Sequence, residues 1–322
     1  MKLRTSILAA AFAVTSFSAS AAWPERPITL IVPWAAGGGT DAVARVLASG
    51  LEKEFGQPVN VVNRTGGGGV VGHTEIVNAK PDGYTIGLAT AEVTTFYWSN
   101  TAPYTYEKLT PLALVNFDSA AFNVAADSPW KDLRAALDDI RKQPAGRYKL
   151  SGMAAGAAYH LAFAGLLQLE GIDPKAVTVV PSQGAAPGFQ ELASGGVQIV
   201  PSSLPEGKAM FDAGRVKSLA VMAKEKVAAF PNVPTVKEAI GKEYEGGTWR
   251  GLAAPAGLPP EITERLLAAI EKIATSDEYK KFLDSRGFGY AFAKGPAFGE
   301  FLAKQHKQNG ELMAALGLRH RQ

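Results

Sequence analysis

The chain has 322 residues, 47% hydrophobic and 20% charged, enough apolar residues for one large core or two ordinary ones. Its formal net charge is +3, and no run of Lys or Arg is longer than a pair such as Lys280-Lys281, which excludes a nucleic-acid surface built on a basic stripe. There is no cysteine, which excludes disulfides, zinc–thiolate centres and iron–sulfur clusters.

At the N-terminus, Lys2 and Arg4 precede an apolar stretch over 7–17, and the small residues of "SASAA" follow. This order reads as a secretory signal cleaved after Ala21 or Ala22, and the apolar stretch is too short to span a bilayer. With no cysteine to carry a lipid, the expected product is a free periplasmic protein. Loss of Lys2 and Arg4 leaves it nearly neutral.

Strand and helix patterns then alternate. "ITLIVP" (28–33) predicts a buried strand, and Val43, Leu47 and Leu51 at fourfold spacing predict a helix over 41–55. A strand at 59–63, a short helix to 79, a "PDG" turn and a strand at 84–89 complete a βαβαβ order, which implies a parallel sheet covered by helices. Pro129 breaks the pattern. A second series follows, with strands at 148–150, 177–180, 198–200 and 218–222 and helices at about 158–170, 185–194 and 205–213. After a second break at 230–239 come a strand at 248–253, helices at 261–275 and 277–285, a strand at 288–292 and a helix from Pro296. Two α/β series joined by two breaks suggest two lobes, with crossings near Ser128 and Gly247. One continuous doubly wound sheet is the alternative.

The candidate chemistry lies in small-residue loops between strands and helices. Gly37, Gly39 and Ala42 satisfy the degenerate form of the dinucleotide fingerprint, G-x-G-x-x-G/A. Asn63, however, stands where an acid would bind the ribose, and no Lys-Ser/Thr follows the glycines to make a Walker loop. What survives is general: N–H groups exposed at a helix N-terminus favour an oxyanion. A tight turn without a ligand is the plainer alternative. "NRTGGGGVVGH" (63–73) is a second such turn, and "SGMAAGAAYH" (151–160) and "PSQGAAPG" (181–188) follow strands of the second series. The histidines at 73, 160, 306 and 320 have no zinc-ligand spacing, and the chain has no G-x-S-x-G elbow. His160 reads as a packed helix residue near the site. No catalytic set, metal site or cofactor site is expected.

Seven segments in order resemble the extracytoplasmic solute receptors of tripartite tricarboxylate transporters, the Bug-type receptors. They are "WPERPITLIVPWAAGGGTDAVAR", "GQPVNVVNRTGGGGVVG", "KPDGYTIGLAT", "GGVQIVPSSLPE", "GRVKSLAV", "FPNVPTVKEA" and "WRGLAAPAGLPPE". The resemblance implies an α/β fold of periplasmic-binding-protein (Venus-flytrap) type, each lobe a mainly parallel sheet flanked by helices. Residues 1–22 would be the leader, 23–127 with 248–322 lobe one, and 128–247 lobe two. It further implies a monomer that captures a small carboxylate and delivers it to membrane permease subunits.

In such receptors loop N–H groups hold the carboxylate. That maps onto Ala36, Gly37, Gly38, Gly39, Thr40 and Asp41 in lobe one, and onto the loop with Gly156, Ala157 and His160 in lobe two. Ser182, Gln183 and Gly184 match a loop for the distal part of the ligand. Trp34 is expected as an apolar wall, Asp41 as an acceptor that fixes its own loop, and Arg250 as an ion-pair partner in the cleft or a lock at the hinge. Three residues depart from the family's pattern. Ala157 replaces a serine, Gln198 replaces an acid, and Ser202 or Ser203 replaces a second acid. With both acids lost, a di- or tricarboxylate, or an aromatic carboxylate, is expected rather than an amino acid. Two other classes compete: a sensing module for a membrane kinase, and a periplasmic hydrolase or oxidoreductase.

Overall fold

The computed structural model describes residues 23–321; the expected leader, 1–22, lies outside them. In chain order the elements are β1 (Ile28–Val32), α1 (Gly39–Phe55), β2 (Val59–Asn63), α2 (Val70–Asn78), β3 (Thr85–Thr90), β4 (Leu109–Ser119) and β5 (Ala121–Ala125). Then follow α3 (Leu133–Lys142), β6 (Tyr148–Leu150), α4 (Ala158–Leu169), β7 (Val177–Val179), α5 (Ala185–Ala193), α6 (Lys208–Asp212) and β8 (Val216–Val221). The chain ends with α7 (Val236–Ile240), β9 (Gly247–Pro255), α8 (Pro260–Ala274), α9 (Asp277–Arg286), β10 (Tyr290–Lys294) and α10 (Pro296–Ala315). None of the described helices is long and apolar enough to cross a membrane.

Lobe one is a six-stranded sheet in the order β10-β4-β9-β3-β1-β2. The apolar run of β1 lies between β2 and β3, parallel to both, with Leu30 opposite Val61 and Ile86. The expectation of a mainly parallel sheet is corrected here: the β3–β9, β9–β4 and β4–β10 pairings are antiparallel. The cause is topological. β4 runs out toward the second lobe and β9 runs back beside it, so the two must be antiparallel. One side of the sheet buries Val43, Leu47 and Leu51 of α1 with Leu266 and Ile270 of α8. The other side buries Ile31, Trp249 and Phe298.

In lobe two, β6 and β7 are parallel, β5 and β8 antiparallel. Single bridges, Leu150 with Ile199 and Asn123 with Val200, join the two pairs. The strand expected at 198–200 is reduced to those bridges. A separate core packs Phe122, Trp130, Phe163 and Leu166. Pairing changes lobe at Ala120, earlier than the break at Ser128, because Ser119 still faces Gly247 while Ala121 faces Val221. The crossing segments bond each other, Ala120 N–H to Gly246 O at 2.8 Å and Gly246 N–H to Met222 O at 3.0 Å. A Cβ at Gly247 would lie 2.1 Å from Asp118 O, so this approach requires glycine. A third connection is α10, which starts against Trp249 and ends with Met313 on Leu161 and Ala164 of α4.

Candidate functional site

Between the lobes lies a small cavity. The β1–α1 loop supplies Trp34, Ala35, Gly38, Gly39 and Thr40 to its wall. Asp41 shapes that loop while pointing away from the cavity. Its carboxylate accepts the Gly37 N–H and the Asn63 side-chain amide at 3.0 and 3.1 Å and a two-pronged bond from Arg45. Burial acts to raise its pKa, but these hydrogen bonds outweigh burial and hold it below the ordinary value. Asn63 also donates to Trp34 O at 2.9 Å, so the residue that argued against a ribose site is a brace of the loop. Trp34 Nε1 donates to Thr90 Oγ1 at 3.2 Å, and its ring lies between Gly69 and Gly184.

Alternation along β9 sends Thr248 and Arg250 to the cavity and Trp249 to the core. Register does the rest, placing Asn116 opposite Arg250 and Asp118 opposite Thr248. Arg250, 1% exposed, donates to Thr40 Oγ1 at 3.0 Å, to Asn116 and Asp118, and to Glu206 at 2.7 Å. Glu206 comes from the other lobe, in the 3-10 turn Leu204–Gly207. Burial opposes the charge on Arg250, but Asp118 and Glu206 outweigh burial and hold its pKa above the ordinary value. Burial raises the pKa of Glu206, with Arg250 pulling it back.

The converse contact crosses in the other direction. Glu92, from lobe one, accepts the Ala158 N–H of α4 at 3.1 Å and the Thr90 hydroxyl. The lobe-two helix start expected to meet a ligand is therefore capped by the protein's own carboxylate. The N-cap residues of α1 and α5, Gly38 and Gly184, have no side chain to cap with, and the first residues of both helices, Gly39 and Ala185, line the cavity.

Of the expected site residues, Trp34, Gly38, Gly39, Thr40, Gly184 and Arg250 line the cavity. Ala36 and Gly37 are exposed, on the outer side of the loop. Gly156, Ala157 and His160 do not line it. The Gly156 N–H donates to His160 Nδ1 at 2.9 Å, and Ala157 is the N-cap residue of α4. Ser182 donates to Gly184 O at 3.0 Å, and Gln183 O accepts the Ala35 N–H at 3.0 Å, a backbone bond between the lobes. Ser202 is buried one layer back, where a Cβ on Gly152 would come 3.0 Å from its Oγ.

Gly152, Met153 and Tyr159 of the candidate loop 151–160 line the cavity, while sequence reasoning missed Thr90, Glu92, Glu206 and Thr248 in its wall. Only Thr248 had a signal, being two positions before Arg250 on one strand. Losing the two family acids at 198 and 202 or 203 does not empty the cleft of acids, because Glu92 and Glu206 line it and Asp118 stands behind Arg250.

Two α/β lobes joined by paired crossing strands, with helix N-termini from both sides facing one cleft, define the class of periplasmic solute-binding proteins. Residues 43–318 match the model of the tripartite tricarboxylate transporter family receptors, and the chain belongs to that family. It is 32% identical over 284 residues to the protein of the tcbD–tcbE intergenic region of Pseudomonas sp. strain P51, a match covering 86% of this chain and 83% of that one. A TctC solute-binding protein from Polaromonas, solved with no ligand, is 35% identical, covering 91% of this chain and 100% of that one, with a TM-score of 0.64. Rpa4515 of R. palustris, solved with adipate, is 25% identical, covering 92% of this chain and 99% of that one, with a TM-score of 0.85.

Proposed function

We propose that the protein captures a small carboxylate in the periplasm and hands it to the membrane subunits of a tripartite tricarboxylate transporter. One observation carries this reading: the first turns of α1 and α5, from opposite lobes, share one cavity. Each supplies N–H donors and the positive end of a helix dipole. A carboxylate lying between them gains contacts from both lobes only when the lobes close, so binding shifts the population toward closure. Adipate, found on Rpa4515, is a ligand of this kind.

We assign lobe one to 23–119 with 247–321 and lobe two to 120–246, following the strand pairing. Both jaws belong to one chain, so a monomer suffices. Trp34 is the apolar wall, Gly38, Gly39 and Thr40 are one jaw, and Gly184 and Ala185 the other. Binding without chemistry is the reading for the histidines, since His160 accepts from Gly156 and His73 is engaged at both ring nitrogens. The test is a thermal-shift panel of mono-, di- and tricarboxylates, aromatic acids and amino acids on the mature chain. A ligand at one hundred times its Kd stabilises by about 2.7 kcal/mol. Stabilisation by nucleotides alone would defeat the reading.

A further inference from the structure

Most of α10 is fastened to lobe one. Phe298 and Leu302 pack into the core around Trp249. Further on, His306 O accepts the Trp98 indole N–H at 2.8 Å, and the His306 ring stacks on that indole with centroids 4.7 Å apart. Asn309 donates to Thr94 Oγ1 at 2.8 Å, and a Cβ on Gly310 would come 2.6 Å from Trp98. Beyond the helix, the Arg319 guanidinium lies 4.3 Å over the same indole, and the His320 N–H donates to Trp98 O. Two apolar side chains at the end of α10 leave this body. Met313, fully buried, and Leu316 pack on Leu161 and Ala164 of α4, in lobe two. The Met313 tip also reaches the loop before α4, where a Cβ on Gly156 would lie 3.6 Å from Met313 Cε. That loop carries Gly152 and Met153 into the cavity wall. A groove separates Gln305 and Asn309 of α10 from Ala158 and Ala162 of α4, which leaves the two helices room to move against each other.

We propose that Met313 is a positioning residue for closure, a plug from lobe one in a socket of lobe two that raises the closed population without lining the cavity. When the lobes part, α4 and its leading loop travel with lobe two, while α10 stays fastened to Trp98 and Trp249. Met313 is then withdrawn and its methylenes and thioether meet water, a cost that falls on the open form alone. The cores of the two lobes keep their own burial through the motion. Open and closed forms of such a protein differ by a small free energy, so one apolar side chain suffices to change their ratio. A thioether suits a contact that is made and broken repeatedly, because its flexible chain refits an irregular socket. This role holds whatever the cleft binds.

The chain has no cysteine, so nitroxide labels on Ser49→Cys of α1 and Gln190→Cys of α5, both exposed, report the distance between the lobes by double electron–electron resonance. The measurement uses the mature chain without ligand, and the labelled parent should show a short distance beside a long one. In Met313→Gln, close in size but polar, the ratio of long to short should rise at least threefold. Met313→Leu should stay within twofold of the parent. Circular dichroism and the melting temperature verify the fold; if Met313→Gln does not fold, Met313→Ala takes its place with the same expected rise. A residue that merely supports the fold would lower the melting temperature and leave the ratio as it is. That result overturns the proposal, as does a shift toward the short distance, an equal rise in the leucine variant, or a parent with no short distance.

Discussion

Arg250 and the two buried histidines show how much of this molecule depends on single charges. Removing the guanidinium leaves Asp118 and Glu206, each at most 5% exposed in its side chain, without their counter-ion. Breaking such a group costs about 3–5 kcal/mol, so Arg250→Met should lower the urea midpoint by a corresponding amount. Lysine is no substitute, because one ammonium cannot meet acceptors on a helix, a strand and a turn. His73 donates from Nδ1 to Gly69 O and accepts the Thr90 N–H at Nε2, which fixes a neutral ring. Burial pushes its pKa down to about 4, and burial does the same to His160. Below pH 6.5 the unfolded chain takes up protons that these folded rings refuse, so stability falls between about pH 6.5 and pH 4 and then stops falling on their account. At pH 5 the loss is about 2 kcal/mol per ring. Urea midpoints at pH 7 and pH 5 measure it. His160→Asn, which offers an acceptor to the Gly156 N–H and cannot titrate, should remove one share; an unchanged pH dependence would contradict this account.

Among the elements, α4 is the one whose N-terminus the sequence misassigned. Its expected ligand is replaced by Glu92, a cap reaching over from the other lobe. Loss of a cap costs about 1 kcal/mol, and Glu92→Ala should cost that much in a denaturant titration, with the loss expressed as weaker contact between the lobes. No sequence pattern marks this cap, since Glu92 and Ala158 meet only when the lobes do. The same holds for Glu206 and Arg250, 44 residues apart in the chain. Local elements were legible: the fourfold spacing of Val43, Leu47 and Leu51 gave α1, and β2 falls at the expected 59–63. β4 was not, because Pro111 and the polar residues Asn116 and Asp118 interrupt its apolar run. Those two polar residues are the ones the cleft uses. The loop carrying Gly38 and Gly39 was legible as an anion site from its glycines, whereas the acids around it belong to long-range pairing.

As a whole the molecule is in a closed arrangement, with Ala35 bonded to Gln183 and Arg250 to Glu206 between the lobes. Closure depends on Gly39, where an added Cβ would press on Glu206 and Arg250. Gly39→Val should therefore keep both cores intact while holding the lobes apart. Small-angle scattering should show a larger radius of gyration than the parent, and ligand affinity should fall at least tenfold. An unchanged radius and affinity would refute this dependence.

The setting of Trp34 gives the protein a built-in optical readout. Its indole is bonded to Thr90 of one lobe and rests against Gly184 of the other, so opening strips one side of the ring to water. Trp130 and Trp249 sit inside separate cores and keep their surroundings as the lobes move. Titration with a ligand should then change the intrinsic emission of the unlabelled protein, and Trp34→Phe should abolish most of that change.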